Sequence, residues 1–416
     1  MAKWPKVKLA DCVNLLAGFP FKSQHFTDKP DDVPLVKGEN VSQGCILWDI
    51  SKRWPATDWE KMAKFHLVPG DVVIAMDRPW IPAGLKWSFI RTGDPKALLV
   101  QRCARLRPSK ACLDQNFLRF VIGGPAFEGY VKPITTGVNV PHISGQQILD
   151  FEFALPPLPI QRRIAGILSA YDELIENSQR RIKILESMAR ALYREWFVHF
   201  RFPGHESVPR IPSPLGPIPQ GWEVKRVPDC ININPRVTVP RDGEKPFVPM
   251  GCLSNDSMLI TDIESRDGNS GAKFQNGDTL FARITPCLEN GKTGFVQFLP
   301  GPNAVAFGST EFIVLRSRTL TPEFVYCLAR SDEFRGVAIK SMSGATGRQR
   351  VQEKCFDDLP IVQPPRALLA QFTATTAPSF LLTYKLHLQV QNLRRTRDLL
   401  LPRLLSGQIE VQDIDA

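Results

Sequence analysis

The sequence states one pattern twice, and that repetition constrains the fold more than any other feature. Pro69-Gly70-Asp71-Val72-Val73-Ile74-Ala75-Met76-Asp77-Arg78-Pro79 returns, half a chain later, as Asn276-Gly277-Asp278-Thr279-Leu280-Phe281-Ala282-Arg283-Ile284-Thr285-Pro286. Each reads as a Gly-Asp turn feeding a buried strand. Thr136-Gly137 is matched by Thr346-Gly347, and Pro156-Pro157 by Pro364-Pro365, in the same order and at nearly the same spacing. One such match is chance; three in order argue for duplication.

After each Pro-Pro the apolar period lengthens from two to about 3.5. Ile164, Leu168, Tyr171, Ile175, Ser178, Ile182, Leu185, Ala189, Leu192 and Trp196 alternate steps of four and three, which is a heptad seam. A helix from Ile160 to Phe200 spans roughly 60 Å at 1.5 Å per residue. In the second half, Leu382, Leu386, Val390 or Gln389, Leu393, Leu400 and Leu404 form the seam. Pro378 is expected to start or kink that helix and Pro402 to bend its end. One long helix from about Ser379 to Leu405, preceded by a short one, is therefore predicted. Between the halves, Pro203 to Pro219 reads as a Pro-rich, extended, non-helical connector.

The expected organisation is a first globular domain (1–158), a first long helix (159–202), a linker (203–220), a second globular domain (221–365) and a second helical region with a tail (366–416). The predicted fold class is α+β: two mixed α/β domains joined by two long antiparallel, coiled-coil-like helices, with a pseudo-two-fold internal repeat. A rod with a reader at each end suits a partner that itself carries local two-fold symmetry, as duplex DNA does.

Charge agrees with that partner. Lysine and arginine number 52 against 42 acidic residues, a formal net charge of +10. The excess favours a polyanion. An apolar fraction of 43% is enough for real cores. No apolar run follows Met1-Ala2-Lys3-Trp4, and none is long enough to span a bilayer, so a cytoplasmic, membrane-free protein is expected. The nine cysteines form no C-x-x-C pair, and the six histidines lack metal spacing, so no metal site is expected.

Several segments carry a family resemblance. They are Thr136-Gly137-Val138-Asn139-Val140-Pro141-His142-Ile143-Ser144-Gly145, Leu155-Pro156-Pro157-Leu158-Pro159-Ile160-Gln161, Ala189-Arg190-Ala191-Leu192-Tyr193-Arg194-Glu195-Trp196-Phe197 and His205-Glu206-Ser207-Val208-Pro209. The linker end, Gly216-Pro217-Ile218-Pro219-Gln220-Gly221-Trp222, and the tail from Leu393 to Gly407 complete the set. Together they resemble the specificity subunits of type I restriction–modification systems, over essentially the whole chain. The second half departs at Ser343-Gly344-Ala345-Thr346-Gly347-Arg348-Gln349-Arg350, which lacks the Asn-Val-Pro-His-Ile run.

The resemblance implies that each globular domain reads one half of a split DNA site and that the helices set the unread gap. It implies docking of two modification subunits, which methylate adenine with S-adenosylmethionine. Restriction subunits that use ATP and Mg join them to cleave unmodified DNA. No catalytic site and no cofactor are implied for this chain itself.

The residues agree on that absence. Neither Pro-Pro pair has the Asn/Asp-Pro-Pro-aromatic setting of an adenine methyltransferase. Pro286-Cys287-Leu288-Glu289-Asn290-Gly291-Lys292-Thr293 ends like a phosphate-binding loop, but Pro286 replaces the first glycine and a strand, not a helix, is expected to follow. A stand-alone methyltransferase or nuclease is therefore disfavoured, and a helical adaptor that binds only proteins is the alternative reading. Trp196 and Phe197 read as core rather than as a partner anchor, since Trp196 lies on the seam.

The candidate DNA contacts lie in loops beside the repeated strands. In the first domain they are Arg78, Trp80, Lys86, Thr136 and Asn139. In the second they are Arg283, Asn290, Lys292, Thr346, Arg348, Gln349 and Arg350. Arginine can bridge guanine edges, asparagine or glutamine can bridge adenine, and lysine mainly holds phosphate. Each could equally be an ordinary solvated loop residue.

Overall fold

The computed structural model describes residues 4–135, 141–345 and 347–411. The chain divides into two compact units. Unit 1 is Met1–Ile175 with Asn392–Ala416, and unit 2 is Glu176–Gln391.

Unit 1 holds two four-stranded sheets. One is antiparallel throughout, in the order Val13–Ala17, Cys103–Pro108, Val72–Ala75, Trp87–Phe89. The other runs Arg53–Trp54, Val33–Val36, Ala97–Leu99, His66–Leu67, and its central pair is parallel. Lys6–Lys8 pairs with Glu152–Ala154 to bring the ends of the domain together.

Unit 2 repeats this strand for strand. Its antiparallel sheet runs Ile231–Ile233, Phe312–Ser317, Thr279–Ala282, Thr293–Phe295. Its second sheet runs Glu264–Arg266, Lys245–Val248, Val305–Gly308, Ala272–Gln275, again with a parallel central pair. Glu223–Arg226 closes the domain against Pro360–Gln363. The expected class and internal repeat are therefore those of the fold.

Local chemistry explains the repeated elements. Val72–Ala75 and Thr279–Ala282 are buried at every position, so they read as continuous runs rather than alternations. Gly70 and Gly277 turn the chain into them at φ values of +93° and +87°, which L side chains rarely adopt. Two short helices follow in each unit, Gln115–Ile122 with Pro125–Ile134 and Pro322–Ala329 with Asp332–Lys340. Asp114, Thr321 and Ser331 cap three of them by accepting from backbone N–H groups at N3.

The first long helix, α1, covers Leu158–Tyr193. Every seam position in it is buried or half-buried. It ends in a wider, π-type turn over Arg194–Val198, where the His199 N–H reaches the Arg194 carbonyl. The extra residue per turn shifts the seam by one place. Phe197 is buried and Trp196 only partly, both packed in the core as expected.

The second helix, α2, corrects the sequence reading. It is one continuous helix, Arg366–Leu405, with no break at Pro378. Pro378 and Pro402 lie on the exposed face, as do Ala374 and Asp398, whose carbonyls they leave without helical N–H partners. Water can satisfy those carbonyls, so the penalty of an interior proline, about 3 kcal/mol or more, is held down. Phe372 and Phe380, buried on either side of Pro378, tie both halves of α2 to one core. Val390, not Gln389, occupies the seam.

Each unit uses part of both helices, and in each they run antiparallel. In unit 1 the start of α1 faces the end of α2: Ile164 and Leu404 share a core, and Asp172 pairs with Arg397 at 2.8 Å. In unit 2, Tyr193 lies against Phe372, and Ile182 and Leu386 share a core. Buried Glu186 of α1 accepts from Ser257 Oγ at 2.6 Å and from the Met258 N–H, fixing a loop of unit 2. Arg119 does the converse in unit 1, donating to Ser169 on α1 at 2.7 Å.

The connector is less extended than expected. His205–Ser207 forms a single 3-10 turn, and Arg210–Ile211 pairs with Ile218–Pro219. Ile218 and Trp222 are buried in the unit 2 core. Among the described residues no helix is long and apolar enough to cross a membrane.

Candidate nucleic-acid interface

The aspartate of each Gly-Asp turn is fully buried and ionically held. Asp278 accepts from Arg316 Nε and Nη2 at 2.7 and 2.6 Å and from the Gln275 N–H at 2.8 Å. Asp71 makes the same set with Arg107 and the Val68 N–H. This clamp fixes where the following strand begins, and hence where its far end emerges.

At that far end a returning loop docks by the same backbone bonds in both units. The Ile143 N–H donates to Met76 O at 2.9 Å, and the Arg78 N–H to Pro141 O at 2.7 Å. In unit 2 the Val351 N–H donates to Arg283 O at 2.8 Å, and the Thr285 N–H to Gln349 O at 3.0 Å. The segment without the Asn-Val-Pro-His-Ile run therefore docks as the first loop does.

The side chains at this end differ between the units. In unit 1, Asp77 accepts from Arg102 at 2.9 Å and contacts His142 Nδ1 at 2.5 Å. In unit 2, Arg350 pairs with Glu311 at 2.7 Å, and these hydrogen bonds hold the Glu311 carboxyl below the usual carboxylate range. Arg102 remains 67% exposed, so it is still available to a ligand.

Among the unit 1 candidates, Arg78 is exposed at φ +45°, an uncommon conformation for a residue other than glycine. Trp80 is half-buried and donates from Nε1 to Thr135 Oγ1 at 3.2 Å. Lys86 is half-buried beside them, and burial holds its ammonium below the usual lysine range. Arg78, Trp80 and Lys86 thus share one strand connection. Thr136 and Asn139, and Thr346 in unit 2, lie outside the described residues.

In unit 2, Arg348 and Asn290 are exposed. Gln349 is half-buried, and its N–H donates to Thr285 Oγ1 at 3.0 Å. Lys292 turns inward, donating from Nζ to the Met250 carbonyl at 3.1 Å. Arg283 is committed to Glu353 at 2.5 Å and to the Val351 carbonyl at 3.0 Å. It also borders an open cleft of about 580 Å³ lined by Arg236 and Lys273.

The inward contacts of Arg283 give it a definite expected phenotype. Arg283→Ala removes the ion pair and a bond to the docked loop, at a cost of about 1–3 kcal/mol in stability. DNA affinity should fall alike on all sequences, as the whole loop loosens. Urea unfolding and binding to a panel of duplexes check this. Relaxed reading at one base, with stability unchanged, would instead place the side chain against that base.

Residues 1–187 match the family model of the type I restriction modification DNA specificity domain. The MjaIX specificity subunit of Methanocaldococcus jannaschii is 24% identical across 72% of this chain and 70% of its own length. The EcoEI specificity subunit of Escherichia coli is 32% identical, over 38% of this chain and 27% of its own length. The S subunit of M. genitalium shares the fold over 99% of this chain and 97% of its own, with a TM-score of 0.60 at 13% identity. Over most of its length the chain is thus similar to type I specificity subunits, and residues 1–187 match their DNA specificity domain.

Sequence reasoning missed the second half of each clamp and the exposed cation Arg102. Arg107 and Arg316 stand at equivalent places in the repeat, and that was the available signal. Arg102 gave none, because its counterpart is Glu311. Among the described residues no cluster of histidine, cysteine, aspartate or glutamate is arranged to hold a metal.

Proposed function

We propose that this chain is a type I specificity subunit, that each of its units reads one half of a split duplex DNA site, and that α1 and α2 set the unread gap. The observation that carries this reading is the repeat itself: two domains with one strand order, one Asp–Arg clamp and one docked loop, but different exposed side chains at the same strand end. One scaffold with two faces is what two unlike half-sites require. In this reading the helices and adjoining surfaces dock two modification subunits, which bring S-adenosylmethionine, and restriction subunits bring ATP and Mg. The chain contributes recognition and no catalytic group, and its working compartment is the cytoplasm, with the DNA.

Exchange of residues 1 to about 150 for the first domain of another family member is the direct experiment. Methylome sequencing of a host carrying the complex should show one half-site replaced and the other retained. A change in both halves, or in neither, overturns the two-reader proposal.

A further inference from the structure

The two units share their scaffold but not the connection that leaves it. After the clamped strand, unit 1 forms a small hairpin in which Trp80–Ile81 pairs with Gly84–Leu85. The Lys86 N–H closes it on the Pro79 carbonyl at 2.6 Å. In unit 2 the same connection is a tight helical turn. The Leu288 N–H donates to Ile284 O at 3.0 Å, and the Asn290 N–H to Pro286 O at 2.9 Å.

That turn is gripped from below by its main chain. Arg330 Nη1 donates to the Gly291 carbonyl at 2.8 Å, and Arg335 Nη2 to the Glu289 carbonyl at 2.9 Å. Leu288 is buried beneath. Glu289 and Asn290 are exposed, and among the described residues neither side chain has a partner. Lys292, the cation that follows the turn, points inward to the Met250 carbonyl.

We propose that the turn 286–291 is the base-reading element of unit 2, with Asn290 and Glu289 as its reading side chains and Arg330 and Arg335 as positioning residues. This rests on the reading of unit 2 as a half-site reader. Phosphate contact is a poor fit for the tip: Glu289 repels phosphate, and the cations around it are spent on carbonyls. Base edges fit it. An asparagine amide can bond both N6 and N7 of adenine, and a carboxylate accepts from cytosine N4. Reading by such contacts needs a rigid first shell, which two arginines holding backbone carbonyls supply. The difference between hairpin and turn is then how one scaffold reads two sequences.

The test uses the complex assembled with its modification subunits and a randomised duplex library, with bound sequences read out for the parent, Asn290→Ala, Glu289→Ala and Arg335→Met. Asn290→Ala and Glu289→Ala should each lose about 5- to 150-fold discrimination at one position of a single half-site. Arg335→Met should blur several positions of that same half. Both tip substitutions are at exposed side chains outside the core, so they decide the matter even where Arg335→Met fails to assemble. Unaltered preferences in both tip variants, or a uniform loss on all sequences, overturn the proposal. Exchange of residues 221–365 separates the two levels. If it replaces a half-site while the tip variants change nothing, the reading element lies elsewhere in unit 2. If it too changes nothing, half-site reading by unit 2 is itself wrong.

Discussion

Four residues inserted after Ser178, with four more near Leu386 in the facing helix, should lengthen the unread gap by one base pair. Ser178 is buried on the seam of α1, close to where the helix passes from unit 1 to unit 2. Four residues add about 6 Å and a net rotation of about 40° to an α-helix. One base pair adds about 3.4 Å and about 34–36°. Rotation matches one pair; translation lies between one and two. Rotation should decide, because a misrotated domain faces away from its groove, whereas a small axial excess is absorbed by tilt or DNA flexure. The insertion is also a stutter in a heptad seam, so some stability is lost. Methylome sequencing of the variant gives the gap directly. A variant that assembles and methylates with its original gap would show that the helices do not measure it.

Breaking the unit 2 clamp should have the largest effect on stability. Asp278 is 1% exposed and bonded to two guanidinium nitrogens and one backbone N–H. Asp278→Ala strands Arg316, only 20% exposed, without its counterion. Removing one partner of a buried pair costs about 3–5 kcal/mol. Domains are stable by only about 5–15 kcal/mol, so much of unit 2 should unfold at moderate urea. Adding Arg316→Met to Asp278→Ala should recover most of the loss, since the double variant leaves no buried charge unpaired. Urea unfolding of the single and double variants checks both statements. A double variant no more stable than Asp278→Ala would mean that the lost Gln275 N–H bond, not the stranded arginine, carries the cost.

The repeat was legible because its signals are local. A Gly-Asp turn, a short apolar run and a Pro-Pro pair each occupy a few consecutive residues. The heptad seam of α1 was equally plain, being a period rather than a contact. What escaped was held by distant partners. Asp71 is visible in the sequence, but Arg107 reaches it only after the strand that carries it enters the sheet. Pro378 misled for a related reason: proline cost is set by which face it occupies, and that face is chosen by the packing of Phe372 and Phe380. The loop ending at Arg350 looked unlike its counterpart because its side chains differ, while its docking is made by main-chain groups common to any sequence. Arg283 was picked out by residue type, yet Glu353 and the Val351 carbonyl engage it inside the unit.

The division of α1 and α2 between the units also fixes an order of events during synthesis. Unit 2 is one uninterrupted stretch, Glu176–Gln391, and can close as soon as that stretch has left the ribosome. Unit 1 begins first but finishes last. Leu400, Leu401, Leu404, Leu405, Ile409 and Val411 pack onto its core, and they are made only after the whole of unit 2. The N-terminal domain therefore waits, incompletely sealed, through translation of the whole second copy. A nascent chain interrupted near Gln391 holds a finished C-terminal reader and an open N-terminal one, so quality control acting on such fragments meets its exposed apolar surface at the older end of the chain.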